Sequence, residues 1–296
     1  MGWSITAAFN PVVGGGIVRY PKGSLELSLA HDYPVLRQIA RSRFITHNQL
    51  FELTHGSTDG CARSSFNWRL RRLREHNLVL RNTLPSIGGQ YVYSITPSGA
   101  GYLLGKGESS GVVGTGDDRQ KSIELRAQHS VELNDIQLAL VRTGLLVRWV
   151  PEVEIRSENE LLRHAYTKDY DAVLTLRVED STVTVGLEYE RTPKMERDYD
   201  AIAAKMQAER YVNQFLYLTA NEQLLKLVSW SFRKMDARVY FGLVADWHRR
   251  LLEMEAFSWK AMGYRRLATL LSEDPAKPRA LPQQKGLRFE GPLTAL

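Results

Sequence analysis

"YDAVLTLRVEDSTVTVGLEYE", residues 170–190, reads as two strands folded back on the short turn "EDS". Period-2 alternation puts Val183, Val185, Leu187 and Tyr189 on one face of the second strand. Thr184, Gly186, Glu188 and Glu190 take the other. Acidic residues are depleted in strands, and like charges on one face repel. Glu188 and Glu190 nevertheless stand side by side, about 7 Å apart at Cα by strand geometry. A tight hairpin brings Asp171, at the start of the first strand, to that same end. The plain reading of this trio is a solvated strand end with Arg191 as partner. The sharper one is a site for a hard divalent ion, Mg²⁺ or Mn²⁺, which takes a few carboxylates and several waters.

Outward from the hairpin the elements alternate. "KSIELRAQHSVELNDIQLALVRTG" is a helix ending at Gly144, and "LVRWVPEVEI" follows as a strand. After the hairpin come the amphipathic helix "KMERDYDAIAAKMQAERYV" and the apolar strand "QFLYLT", giving the order αβββαβ. A further helix, "NEQLLKLVSWSFRKM", and strand, "ARVYFGLV", extend it, with helical stretches expected from Ala245 to Thr269. Glu132 on the first helix is a further candidate metal ligand beside Asp171 and Glu188. Lys205, on the helix after the carboxylate strand, is the candidate cation that orients a water or offsets charge on a phosphate. His129, three residues before Glu132, reads as an ordinary helix histidine. Tyr189 faces the apolar side of its strand and reads as core. Tyr199 and Tyr211 are the tyrosines left over for a covalent step, with nothing else in their favour.

The chain has 296 residues, 43% hydrophobic and 24% charged, enough for two domains. The single Cys61 excludes a disulfide framework and a thiolate zinc cage, which fits a cytoplasmic protein. No apolar run approaches the roughly 20 residues of a membrane span, and the N-terminus lacks a signal-peptide pattern. Met1 to Thr6 matches a myristoylation pattern, but that pattern is short. The net charge is +6, and nine arginines between Val35 and Arg81 against Glu52, Asp59 and Glu75 account for an equal excess. A concentrated patch of guanidinium groups suits a phosphate polyanion, while the bland alternative is a solvated helix face.

That arginine-rich segment has its own rhythm. Val35, Leu36, Ile39 and Ala40 line a first helix. Thr46 and Gln49 are spaced as a capping box for a second. A third, from about Cys61 to His76, turns Phe66, Leu70 and Leu73 inward. "LVLRNTL" and "QYVYSIT" are strands around the turn "PSIGG", and "TPSGAGYLL" opens a last helix. This is the order of a winged helix-turn-helix, whose third helix enters the major groove of double-stranded DNA. Ser64, Ser65, Asn67 and Trp68, near the helix start, are the candidates for base contacts. Arg69, Arg71, Arg72 and Arg74 are candidates for phosphates. The same fold is also used for protein contacts.

The resulting fold class is α/β (α+β). It divides into a flexible arm (1–30), a winged helix DNA-binding domain (31–105), a Gly- and Ser-rich linker (106–120), a core domain (121–270) and a Pro-rich tail (271–296). The core order and the Asp171, Glu188-Tyr189-Glu190 pattern resemble the PD-(D/E)XK nuclease superfamily. Tyr170 stands where that motif has Pro, and Glu190 where it has Lys. Some members take the lysine from the following helix, which points to Lys205, with Lys194 as a second candidate. From about residue 33 to 220 the chain also resembles the replication-relaxation family of mobile elements. The resemblance rests on "ARSRFITHNQLFEL", "RRLREHNLV", "YSITPSGAGYL", "QHSVELNDI", "PEVEI", "YDAVLTL", "GLEYERT" and "KMQAERYV" in that order. It implies a relation to MobC-type relaxases and action at an origin-like DNA site, with a homodimer allowed. Two readings follow. One is a metal-dependent nickase using Asp171, Glu188, Glu190 and Lys205. The other is a DNA-binding regulator or accessory factor in replication, transfer or defence whose core does not cut.

Overall fold

Leu36, Ile39, Leu50, Phe66, Leu70 and Leu73 fall on three helices at helical spacing, and the helices close on one another through them. In the computed structural model these are α1 (Asp32–Ser42), α2 (His47–His55) and α3 (Arg63–Glu75). The described residues are 26–55, 62–108, 120–162, 166–235 and 238–273. Nearly all of the expected arm, most of the linker and nearly all of the tail lie outside them, as do "GSTDG" and Cys61. Thr46 and Gln49 form the expected reciprocal cap on α2, each side chain accepting from the other's amide, at 3.3 and 3.1 Å. The hairpin consists of β2 (Val79–Thr83) and β3 (Tyr91–Ile95), followed by α4 (Pro97–Leu104). A two-residue strand, β1 (Ile45–Thr46), pairs with β3 and completes a three-stranded sheet of order β1-β3-β2. Two residues carry no period, so the sequence could not reveal it.

The long helix α5 (Gln120–Arg142) packs on both units. Its Ala127 and Val131 share a buried cluster with Phe44, Leu84 and Val92. The Asn134 amide donates to the Phe44 carbonyl at 2.9 Å, and Gln49 donates to the Val131 carbonyl and to Asp135 at 2.8 and 2.7 Å. The N-terminal unit is therefore seated on α5 by apolar contact and by buried hydrogen bonds.

Beyond α5 lie β4 (Leu146–Pro151), α6 (Glu152–Leu162), β5 (Ala172–Val178), β6 (Ser181–Glu190), α7 (Glu196–Gln207) and β7 (Gln214–Thr219). They continue through α8 (Glu222–Ser231), β8 (Arg238–Leu243), α9 (Val244–Arg250), β9 (Glu255–Ser258), β10 (Gly263–Arg266) and α10 (Leu267–Ser272). The seven strands form one mixed sheet, β10-β9-β8-β7-β6-β5-β4. Neighbours β6, β7 and β8 are parallel, because α7 and α8 carry the chain back between them. Val183, Val185, Leu187 and Tyr189 join α5, α9 and α10 on one face of the sheet. The other face packs on α6, α7 and α8 through Ile155, Tyr199 and Val228. Gly186 lies on this second face, where a Cβ would come within 2.9 Å of the Phe215 ring.

Two expectations are corrected. "PEVEI" is not strand: β4 stops at Pro151 and α6 begins at Glu152. Pro151 has no N–H to extend a ladder, and Glu152 and Glu154 favour the positive end of a helix. The stretch from Ala245 to Thr269 is not continuously helical, because β9 and β10 form a hairpin within it. Ala256 and Ser258 are buried while Glu255 is exposed, a period of two that marks a strand.

Candidate functional site

The hairpin register decides what the strand carboxylates face. Ala172 pairs with Leu187, so one further step sets Asp171 opposite Glu188. Both lie on the sheet face that holds Gly186, at the floor of a cleft of about 340 Å³. Glu190, His129 and Lys194 also line the cleft, and the N-terminal unit forms a wall through Arg41 of α1 and Arg43 just after it.

Each carboxylate has a protein cation beside it. The Asp171 Oδ1 atom meets His129 Nε2 at 3.1 Å, and Oδ2 accepts from the Tyr189 amide at 2.7 Å. Lys168 Nζ pairs with Glu188 Oε1, and Lys194 Nζ pairs with Glu190 Oε2. The Tyr217 hydroxyl donates to the same Glu190 oxygen at 3.2 Å. Glu188 and Glu190 are buried, 6% and 5% exposed, so these pairs are not a solvated strand end. Burial pushes the Glu188 pKa up, Lys168 draws it back only in part, and neighbouring Asp171 adds to the rise, which reaches about 7. For Asp171 burial acts in the same direction, but His129, Lys168 and the Tyr189 amide together outweigh it and hold the carboxyl below its ordinary value. Burial disfavours the His129 imidazolium, yet Asp171 raises that pKa overall.

The other sequence candidates fall elsewhere. Glu132 is taken up by Arg191 Nε at 2.6 Å and by the Tyr189 hydroxyl at 2.8 Å, and it does not line the cleft. Lys205 is exposed on α7 and does not line the cleft either. Its helix turns Tyr199 and Met206 inward, and Lys205 does not share that face. Lys194 does reach the carboxylates, from the segment before α7. Tyr199 is fully buried, its hydroxyl accepting from the Lys194 amide at 3.0 Å. Tyr211 stands in a ring contact with Tyr166. Tyr189 is buried, with its ring stacked on His129. Sequence reasoning missed Lys168 as a member and read His129 as an ordinary helix residue. The signal for Lys168 was its place in "KDYD", three residues before Asp171. His129 is distinguished only by the tertiary approach of α5 to β5.

Mg²⁺ or Mn²⁺ does not fit the donor set as it stands. Among the described residues no group of three or more His, Cys, Asp or Glu side chains is placed to hold a metal ion. Both Asp171 oxygens, Oε1 of Glu188 and Oε2 of Glu190 already face protein donors.

On α3 the exposed face carries Ser64, Ser65, Asn67, Trp68 and Arg71. The Asn67 Oδ1 atom accepts from His47 Nε2 at 2.9 Å, and Arg72 lies over the Trp68 ring. Arg69 and Arg72 turn back to Asp32, which is fully buried, while Arg74 is half-buried. The charge count needs the same correction. Carboxylates outside the arginine-rich segment, namely Asp32, Glu108, Glu152 and Glu154, pair with Arg69, Arg72, Arg37, Arg43 and Arg41. The excess read along the chain is largely neutralised in space. Among the described residues Arg71 and Arg74 have no carboxylate within ion-pair distance.

A replication-relaxation family model matches residues 36–215, that is 180 of the 296 residues. The chain belongs to the replication-relaxation family. The match runs from α1 into β7 and so contains both α3 and the carboxylate cleft. Membership in the replication-relaxation family points to a role in plasmid or mobile-element replication or transfer. No curated protein and no solved structure matches the chain. Among the described residues no helix is long and apolar enough to cross a membrane.

Proposed function

We propose that this replication-relaxation protein is a double-stranded DNA-binding accessory factor in plasmid or mobile-element replication or transfer. Its N-terminal unit is a winged helix, with α3 in the major groove and the β2–β3 hairpin on the backbone. The observation that carries the reading is the exposed face of α3. Ser64, Ser65, Asn67 and Trp68 stand near the helix start and Arg71 lies one to two turns on, while the apolar face is sunk in the core. Ser and Asn bond base edges, and an unpaired guanidinium suits a phosphate. Its C-terminal unit is a PD-(D/E)XK-like core that holds its carboxylates in ion pairs rather than on a metal.

A second reading, metal-dependent nicking at an origin-like site, is favoured by one observation. Asp171 and Glu188 stand opposite each other at the floor of an open cleft. Under that reading His129 and Lys168 would have to release both acids.

Selection of bound duplexes from a random pool, followed by binding and cleavage assays on the winner, separates the two. Salt-sensitive binding that weakens with Arg71→Ala, with no nicking of supercoiled plasmid in Mg²⁺ or Mn²⁺, is the expected result. Nicking that disappears in Glu188→Ala would establish the second reading. Unchanged duplex binding with Ser65, Asn67 and Arg71 all replaced by alanine would remove α3 from either.

A further inference from the structure

Three acid–base pairs stand at the carboxylate end of the cleft: Asp171 with His129, Glu188 with Lys168 and Glu190 with Lys194. A divalent ion in that balanced set would bring two uncompensated charges into a largely buried place and would have to shed water to do so. Of the three partners, Lys168 is the least accessible lysine. Its side chain is 12% exposed, against 41% for Lys194. It is also held from several directions. Its Nζ donates to the Asp169 carbonyl at 3.3 Å and lies 4.8 Å from the Tyr170 ring centroid. Tyr170 is itself fixed by its hydroxyl on Glu209 at 3.0 Å. Thr167 donates to that same Glu209 oxygen, through its amide at 3.0 Å and its hydroxyl at 2.9 Å. This segment therefore delivers an ammonium group to the one acid directly opposite Asp171.

We propose that Lys168, which pairs with Glu188 from outside the cleft lining, is a built-in counter-cation: it occupies the charge position beside Glu188 that a divalent metal would need, and so keeps the cleft metal-free. The inference rests on reading the core as one that does not cut. Lys168 is a positioning residue here, acting through Glu188. Its removal leaves Glu188 and Asp171 facing each other with no cation paired to Glu188, and with His129 on Asp171 and the more distant Lys194 as the remaining offsets. Two acids and released space then suit a hard cation, and a cryptic Mn²⁺ site is created by a single substitution.

Mn²⁺ binding to the full chain, followed by the loss of the free-ion electron paramagnetic resonance signal, tests this without any catalytic readout. Wild-type protein is expected to leave Mn²⁺ free up to ~1 mM, at the weak end for carboxylate sites. Lys168→Met is expected to bind one ion per chain at least about tenfold more tightly, with a matching rise in melting temperature on adding Mn²⁺. The double variant Lys168→Met/Glu188→Gln should lose that binding. Lys168→Gln keeps a hydrogen-bond donor for Glu188 and should gain Mn²⁺ binding too, which covers the case in which the methionine variant does not fold. Wild-type binding that Glu188→Gln abolishes would overturn the proposal, as would Lys168 variants that bind no better than wild type. Wild-type Mn²⁺ binding without plasmid nicking would sink this inference and leave the accessory-factor reading standing. Nicking would sink that reading by itself.

Discussion

Asp32→Asn is the substitution that tests most directly how α3 is held. Asp32 is fully buried at the start of α1. Its Oδ2 atom accepts from the Ser28 amide at 2.8 Å and from Arg72, and Arg69 stands 3.7 Å from Oδ1. Asparagine keeps the shape and an acceptor for Ser28 but leaves two guanidinium groups facing a neutral amide. Breaking a fully buried ion pair costs about 3–5 kcal/mol, mostly through the charge left behind. Arg69 and Arg72 keep 21% and 20% side-chain exposure, so water can screen part of that loss. The pair is also imperfect, since the Nε atoms of both arginines have no hydrogen-bond partner. A loss of about 2 kcal/mol is the result, which for a chain of this size lowers the melting temperature by about 4–8 °C. Thermal unfolding followed by circular dichroism measures it. Duplex binding, followed by fluorescence anisotropy well below the transition, should weaken even though the variant is more positive by one charge. A melting temperature within about 1 °C of wild type would refute the idea that Asp32 anchors α3. Tighter duplex binding would show that Arg69 and Arg72 serve DNA better when released.

The arginines of α3 should separate by role. Arg71→Ala should reduce duplex affinity and lower the salt slope by about one, with little change in melting temperature. Arg72→Ala should act mainly on stability, because its guanidinium is spent on Asp32; equal effects of the two on the salt slope would contradict this division. Stability should also fall as pH rises from about 4.5 through about 7, because folded Glu188 binds its proton more tightly than the unfolded chain does. His129 acts in the same sense from pH 6.5 upward, since its pKa is also raised on folding. Asp171 works oppositely and loses stability only as pH falls below about 4. Glu188→Gln should flatten the fall across neutral pH in a series of thermal melts, and an unchanged slope would count against burial as the cause of the Glu188 shift.

Much of the N-terminal unit was legible because its signals are local. The Thr46 and Gln49 cap, the Phe66, Leu70, Leu73 stripe and the Pro97 helix start each lie within a few residues of chain. The β5–β6 hairpin was legible for the same reason, and its alternation placed Glu188 and Glu190 on one face. The β9–β10 hairpin was not, because four-residue strands between helical stretches carry too short a period to stand out. Lys205 was an expectation about helix direction, and the phase of α7, set by Tyr199 and Met206, turned it outward.

The β5–β6 hairpin, the acidic pair on one of its strand faces and the candidate groove face of α3 are therefore properties of the sequence alone, since backbone period and local capping fix them. Charge partnership is not. Lys168 with Glu188, His129 with Asp171, and Asp32 with Arg69 and Arg72 join residues 20, 42, 37 and 40 positions apart. An ion pair depends on distance in space and on burial, neither of which is written along the chain. Only the packing of α5, β5 and β6, and of α1 on α3, decided which acids meet a cation and which arginines are left without a carboxylate.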